Sequence, residues 1–335
     1  MRIVAFEAEE WEQCVFDRFR DEHEVTCTSE PLSMDNAEDY SDAEVISTFI
    51  HSKLPAEVIR KLKKAKLIAT RSTGYDHIDM EQCRAQKIIV CNVPGYGENT
   101  VAEHVFGLLL CISHKLVQAI DRTRRGDFSQ SGLQGFDLEE KTIGVVGTGD
   151  IGRHVVRIAG GFNMKVCAFD ISPDKELAER QEFEYVEMDE LLSRSDVITL
   201  HVPANEKTRH LLSDDEFSKM KDGVVIINTS RGSVIDVSAM MRAIADGKVR
   251  AAGLDVLAEE PVVGEEAELL RTAFHKKHNL EQLLADHVLL RLRNVVVTPH
   301  SAFNTREAVQ RILDTTADNV ASFLQGRPQH VVTQE

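Results

Sequence analysis

The stretch Ile143-Gly-Val-Val-Gly-Thr-Gly-Asp-Ile-Gly152 decides how this 335-residue chain is read. Its apolar start, up to Val146, reads as a strand buried on both faces. Gly147, Gly149 and Gly152 follow at G-x-G-x-x-G spacing. The first allows a tight turn, the second lets a pyrophosphate approach the backbone, and the third lets the next helix pack close to the strand. A helix opening at Asp150 and Ile151 would point unpaired N–H groups and its positive dipole end at that pyrophosphate. Residues 165–169 read as a second strand ending at Asp170. That acid stands about 20 residues past the glycines, where a carboxylate accepts hydrogen bonds from an adenosine ribose. A purely structural glycine turn leaves Asp170 unexplained. The residues after it, Ile171, Ser172 and Pro173, bring no cation before Lys175. A 2′-phosphate would therefore meet an unbalanced carboxylate, and the pattern selects NAD over NADP.

Outward from this motif, strands and helices alternate on both sides. Before it, apolar runs at 2–6, 25–27, 45–50, 67–71 and 88–92 read as strands. Helical spacing of Trp11, Cys14, Val15 and Phe19 covers 8–20, and a basic amphipathic helix covers 55–64. After it come helices at 175–181 and 188–193 and strands at 196–203, 223–228, 251–254 and 294–298. Continuous apolar strands between helices imply an α/β chain with two doubly wound parallel-sheet domains. The expected partition is a flavodoxin-like substrate-binding domain, 1–100 plus 300–335, and a Rossmann NAD-binding domain, 101–299. A single long apolar helix, capped by Asn99 or Thr100, is expected from 99 to about 123 as the connector, with a turn-rich stretch at 124–140. Residues 262–293 read as a charged, Leu-rich insert. A final helix over 303–325 would return to the first domain.

Bulk properties narrow the function. The length allows two full cores, and a formal net charge of −16 opposes nucleic-acid binding. Six cysteines at 14, 27, 83, 91, 111 and 167 form no C-x-x-C pair and read as small hydrophobes in a reducing compartment. The N-terminal apolar run meets Glu7, Glu9 and Glu10 at once, unlike a secretory leader. The apolar run 105–112 is too short to span a bilayer. A cytoplasmic protein without membrane partners is expected. His104 and His114 read as satisfied helix residues, because no metal-ligand partner stands at suitable spacing; no metal is expected.

Ligands of such sheets bind beyond the carboxyl ends of the strands. In the first domain, Ser72, Thr73 and Gly74 would expose N–H groups able to hold a carboxylate, or form an ordinary turn capped by Asp76 or Asp79. Tyr96 lies between Gly95 and Gly97, where it either reaches a cleft or rests on the surface. In the second domain Arg231, Glu260 and His300 follow the ends of three strands. Alone, each has a plain alternative: a surface cation, a solvated acid beside Glu259, a backbone-bonded imidazole. Together they fit the reduction of a 2-keto acid. Arg231 would grip the carboxylate and polarise the ketone through its planar fork. His300 would protonate the oxygen as hydride reaches carbon. Glu260 would hold the imidazole and raise its pKa. In alcohol oxidation His300 becomes the base.

The stretches at 144–152, 222–232, 253–261 (Gly-Leu-Asp-Val-Leu-Ala-Glu-Glu-Pro) and 297–303 (Val-Thr-Pro-His-Ser-Ala-Phe) resemble the D-isomer-specific 2-hydroxyacid dehydrogenases. The resemblance spans nearly the whole chain. It implies that the catalytic trio is Arg231, Glu260 and His300, with Glu260 taken over Glu259 because it directly precedes the proline. It implies cofactor contacts from Asp150, Ile151, Asp170, Val202, Pro203, Thr208, Thr229, Ser230 and Asp255, and substrate-carboxylate binding by Thr73 and Gly74. Within the family, Val-Pro-Gly-Tyr96, the long insert and Ala302-Phe303 look most like the branch that interconverts pyruvate and D-lactate. Phe303 and Phe49 would then line a small apolar pocket for a methyl group. The runners-up are reduction of hydroxypyruvate, phosphoglycerate or a bulkier 2-keto acid, and more distantly an NAD-sensing scaffold of the corepressor kind. A homodimer through the cofactor domain follows from the resemblance.

Overall fold

A computed structural model describes residues 1–257 and 288–333. The chain divides into two compact units, Met1–Tyr96 with Thr305–Glu335, and Gly97–Asn304.

The first unit is built on one parallel sheet of β1 (Arg2–Ala5), β2 (Glu24–Cys27), β3 (Val45–Thr48), β4 (Leu67–Thr70) and β5 (Ile89–Cys91). Its order, β2-β1-β3-β4-β5, is that of a flavodoxin-like sheet. Successive side chains leave a strand on opposite faces. Ile3, Val45 and Leu67 therefore pack on one side with Phe16, Phe19, Ala317 and Val320. Val4, Ile46 and Ile68 pack on the other with Val58, Ile59 and Leu62. The terminal Arg306–Leu324 helix thus belongs to this unit, capped by the Thr305 side chain on Ala308 N.

The second unit holds β6 (Thr142–Val146), β7 (Lys165–Phe169), β8 (Glu184–Tyr185), β9 (Val197–Leu200), β10 (Val224–Asn228), β11 (Val249–Leu254) and β12 (Val295–Val297). All pair in parallel, in the order β12-β11-β10-β9-β6-β7-β8. Counted from β6 this is the Rossmann order with one further edge strand. The chain changes direction across the sheet between β6 and β9, which places a ligand crevice beyond their carboxyl ends. The Glu98–Ser113 helix buries Val105, Leu108, Leu109 and Ile112 with Val145, Ile227 and Ala251.

Several local expectations are corrected. The expected 99–123 helix is two helices, Glu98–Ser113 and Leu116–Arg124, bent by 63°. Lys115 takes a left-handed φ of 50° at the break, which a right-handed helix cannot continue through. The N-cap is Gly97, not Asn99 or Thr100. The first helix shrinks to Gln13–Asp17, and Trp11 is 59% exposed while Phe16 is buried. The unit edges fall at 96/97 and 304/305 rather than at 100 and 300, because the long helix stays whole in the second unit. No single helix among the described residues is long and apolar enough to cross a membrane.

Candidate dinucleotide-binding and active site

The glycine motif is dictated by close approach. Gly147 has a φ of 93°, and a Cβ there would lie 2.5 Å from the His201 carbonyl oxygen. A Cβ on Gly152 would lie 2.0 Å from the Gly147 carbonyl oxygen. A real Cβ avoids both distances, so strand, turn and the Gly152–Gly161 helix meet only through glycine. Nothing stands within 4 Å of the position a Cβ would take on Gly149. That leaves the open backbone a pyrophosphate needs. Exposed Asp150 pairs with Arg153, and Ile151 caps the helix.

Asp170 is prearranged. Its Oδ2 accepts from Thr148 N (2.7 Å) and Thr148 Oγ1 (3.0 Å), and its Oδ1 from Ser172 N (2.9 Å). Since the Thr148 hydroxyl donates to Asp170, the Tyr185 hydroxyl at 2.8 Å donates to Thr148. Thr148 and Tyr185 escaped the sequence reading, although Thr148 sits inside the motif. At the end of β9, burial pushes the His201 imidazole down to about 3. Next to it, Thr208 Oγ1 donates to Pro203 O at 2.5 Å and accepts from Asn205 N, holding the Val202–Pro203 turn.

At the end of β10 the Thr229 hydroxyl is buried with no hydrogen-bond partner among the described residues. An orphaned hydroxyl is costly unless a ligand satisfies it. With the open Gly149 backbone and the oriented Asp170, it fits a dinucleotide at this edge. Asn228, itself buried, shapes the next turn. Its Oδ1 accepts from Ser230 N and Oγ, and its Nδ2 donates to Arg231 O. Arg231 is half-buried, with Nη1 donating to Ser230 O at 2.8 Å.

His300 follows β12, two strands from β10. It adopts a left-handed φ of 50°, a conformation that costs about 1 kcal/mol outside glycine. Asp255, 1% exposed at the end of β11, holds it there. His300 N donates to Asp255 O at 2.9 Å, while Ser301 N and Ala302 N donate to the two carboxylate oxygens at 2.9 Å. Thr298 Oγ1 also donates to Asp255, and His104 Nε2 lies 3.0 Å from that hydroxyl. The carboxylate expected to touch the cofactor is therefore engaged with the loop that carries His300. His104, read as merely satisfied, belongs to the same array. Phe303 lies beside Gly97 in this unit. Glu260 lies outside the described residues.

In the first unit, Thr73 Oγ1 donates to Val93 O and its carbonyl accepts from Asn92 Nδ2, both at 2.8 Å. Ser72 Oγ donates to Gly74 O. The hydroxyls are committed to the loop, so any anion binding at 73–74 falls to the backbone amides. Tyr96 is half-buried, and its carbonyl accepts from Arg311 Nε at 2.7 Å. Phe49, also half-buried, lies 5.7 Å from the Arg71 guanidinium carbon.

Two doubly wound units, one with a Gly-rich turn, a carboxylate oriented at the end of β7, and an arginine and a histidine beyond the ends of β10 and β12, define a dinucleotide-dependent oxidoreductase. Residues 106–302 match the family model described as the D-isomer specific 2-hydroxyacid dehydrogenase NAD-binding domain. The chain is 39% identical over 290 residues to a 2-hydroxyacid dehydrogenase homologue of Haemophilus influenzae, covering 85% of this chain and 84% of that one. It is 36% identical over 300 residues to the D-lactate dehydrogenase of Escherichia coli, with 88% of each covered. The structure of a D-lactate dehydrogenase from Aquifex aeolicus, complexed with NAD and lactic acid, superposes with a TM-score of 0.87 at 33% identity over 99% of both chains. The chain belongs to the D-isomer specific 2-hydroxyacid dehydrogenase family and is an NAD-dependent enzyme.

Proposed function

We propose that this enzyme interconverts pyruvate and D-lactate. When bound, NADH supplies the hydride to the keto carbon. Arg231 holds the substrate carboxylate and polarises the ketone. His300 delivers a proton to the keto oxygen, and Glu260 keeps the imidazole oriented and basic enough to carry that proton. In the reverse direction neutral His300 removes the hydroxyl proton. The Thr73 and Gly74 amides hold the carboxylate, while Tyr96, Phe49 and Phe303 exclude water and limit side-chain size. Val202, Pro203, Thr208, Thr229, Ser230 and Asp255 bound the cofactor site. The observation that supports this reading most is the parallel placement of Arg231 and His300 beyond β10 and β12, with His300 held in a costly backbone conformation by the Asp255 carbonyl and the two residues after it by the buried Asp255 carboxylate.

Arg231→Ala and His300→Ala should each lower turnover of pyruvate at least ~100-fold while NADH affinity, read by fluorescence, stays within about threefold. Near-wild-type rates in either variant would reject the assignment. A panel of 2-keto acids ordered by side-chain size decides between pyruvate and the larger substrates.

A homodimer is part of the proposal. On the Leu116–Arg124 helix, Leu116, Val117 and Ile120 are each over 40% exposed, and Phe128 after it is 81% exposed. Large apolar side chains in such concentration suit burial against a second copy. The acidic composition and six unpaired cysteines suit the cytoplasm.

A further inference from the structure

The first unit contains a carboxylate clamp, backed by a buried arginine, outside the proposed catalytic trio. Glu7 leaves β1 with a left-handed φ of 53°, and its carboxylate reaches the segment that follows β3. Glu7 Oε1 accepts from Phe49 N and Ser52 N, both at 3.0 Å, and Oε2 accepts from His51 N at 2.9 Å. The Ser52 hydroxyl also donates to Glu7, and it accepts from Leu32 N at 2.9 Å. Three backbone amides of one four-residue turn thus converge on a single carboxylate. Beneath it lies Arg71, 1% exposed. Its Nη2 donates to Phe6 O (2.8 Å) and Glu7 O (2.6 Å), and its guanidinium carbon is 5.7 Å from the Phe49 ring.

A buried guanidinium is expensive unless its environment gives something back. Here it fixes the backbone of Glu7, and Glu7 fixes the amide of Phe49. The ring of Phe49 is therefore restrained twice, through its own N–H and through the cation beside it. An ordinary strand-end turn needs neither a carboxylate accepting three amides nor an arginine below it.

We propose that Glu7, backed by Arg71, is a specificity-determining positioning residue that locks Phe49 and so sets the size of the 2-keto acid side chain the enzyme accepts. This rests on the reading of Phe49 as a wall of the substrate pocket. Glu7→Gln keeps the shape but offers the turn one acceptor oxygen and a group that itself donates. In that variant the ratio of kcat/KM for pyruvate over phenylpyruvate should fall about tenfold, mainly through KM for pyruvate, while kcat stays within about threefold and KM for NADH is unchanged. Hydrogen exchange at the Phe49, His51 and Ser52 amides should accelerate at least ~10-fold, with β3 unaffected. A uniform loss of kcat with an unchanged substrate ratio means that Glu7 is merely structural and overturns the proposal. Phe49→Ala separates the two readings. If it shifts the ratio and Glu7→Gln does not, the clamp is wrong and the pocket stands. If Phe49→Ala leaves the ratio unchanged, Phe49 is no pocket wall and both fall. Should Glu7→Gln fail to fold, Ser52→Ala removes the hydroxyl's bonds to Glu7 and from Leu32 N while leaving the three amides on the carboxylate; it should move the ratio about twofold in the same direction, and no movement overturns the clamp.

Discussion

At Asp170 both carboxylate oxygens are aimed by hydrogen bonds from Thr148 and Ser172, so the negative charge sits in a fixed place. A phosphate brought beside it would meet like-charge repulsion, with no cation in the chain that follows before Lys175. The enzyme should therefore prefer NADH to NADPH at least ~100-fold in kcat/KM, measured at saturating pyruvate; equal efficiencies would remove Asp170 from its role. A second residue governs behaviour in acid. His201 ordinarily titrates near pH 6.5, and burial pushes it down to about 3 in the folded chain. Between those values the unfolded chain takes up a proton that the folded chain refuses. Stability is thus complete above pH 6.5 and drains away as pH falls towards 3. Denaturant titrations at pH 6.5 and 4.5 should differ by less in His201→Gln than in wild type, by up to about 2 kcal/mol. An unchanged difference would mean the imidazole is not shielded.

Elements show what the sequence makes legible. The glycine turn was readable because its constraint is local: a missing Cβ in three places within six residues. Gly152→Ala would set a methyl 2.0 Å from the Gly147 carbonyl. That shift at the helix start should weaken NADH binding at least ~10-fold in a fluorescence titration and lower Tm by several degrees; retained affinity would show that the turn can relax. Buried strands were equally legible, since β3, β4 and β10 are apolar or small throughout and need no alternation. What stayed hidden was set at long range. The break at Lys115 carries no proline or glycine, and nothing in Trp11-Glu-Gln-Cys announces that the indole faces water. The array of His104, Thr298 and Asp255 joins residues up to 194 positions apart. The Glu7 carboxylate reaches amides more than 40 positions away. Neither has a spacing to find. Arg231 and His300 could be singled out as candidates because each stands three residues past an apolar strand, β10 or β12.

For the whole molecule, assembly is the open quantity. A chain of 37.5 kDa should sediment as a species of about twice that mass, and Val117→Glu with Ile120→Glu should yield monomer. A wild-type monomer would leave the exposed apolar side chains of the Leu116–Arg124 helix without their proposed occupant. The order of the units along the chain carries one more consequence. Residues 97–304 form a complete body inserted into another whose last pieces come at 305–333. On the ribosome, the guest has all of its strands before the host has its closing helix. Until Ala317 and Val320 emerge, the sheet face made by Ile3, Val45 and Leu67 has only part of its cover. The half-made host is therefore the species most open to aggregation during biosynthesis, and a chaperone that recognises nascent apolar surface would find this face from the time β1–β5 emerge until the closing helix follows.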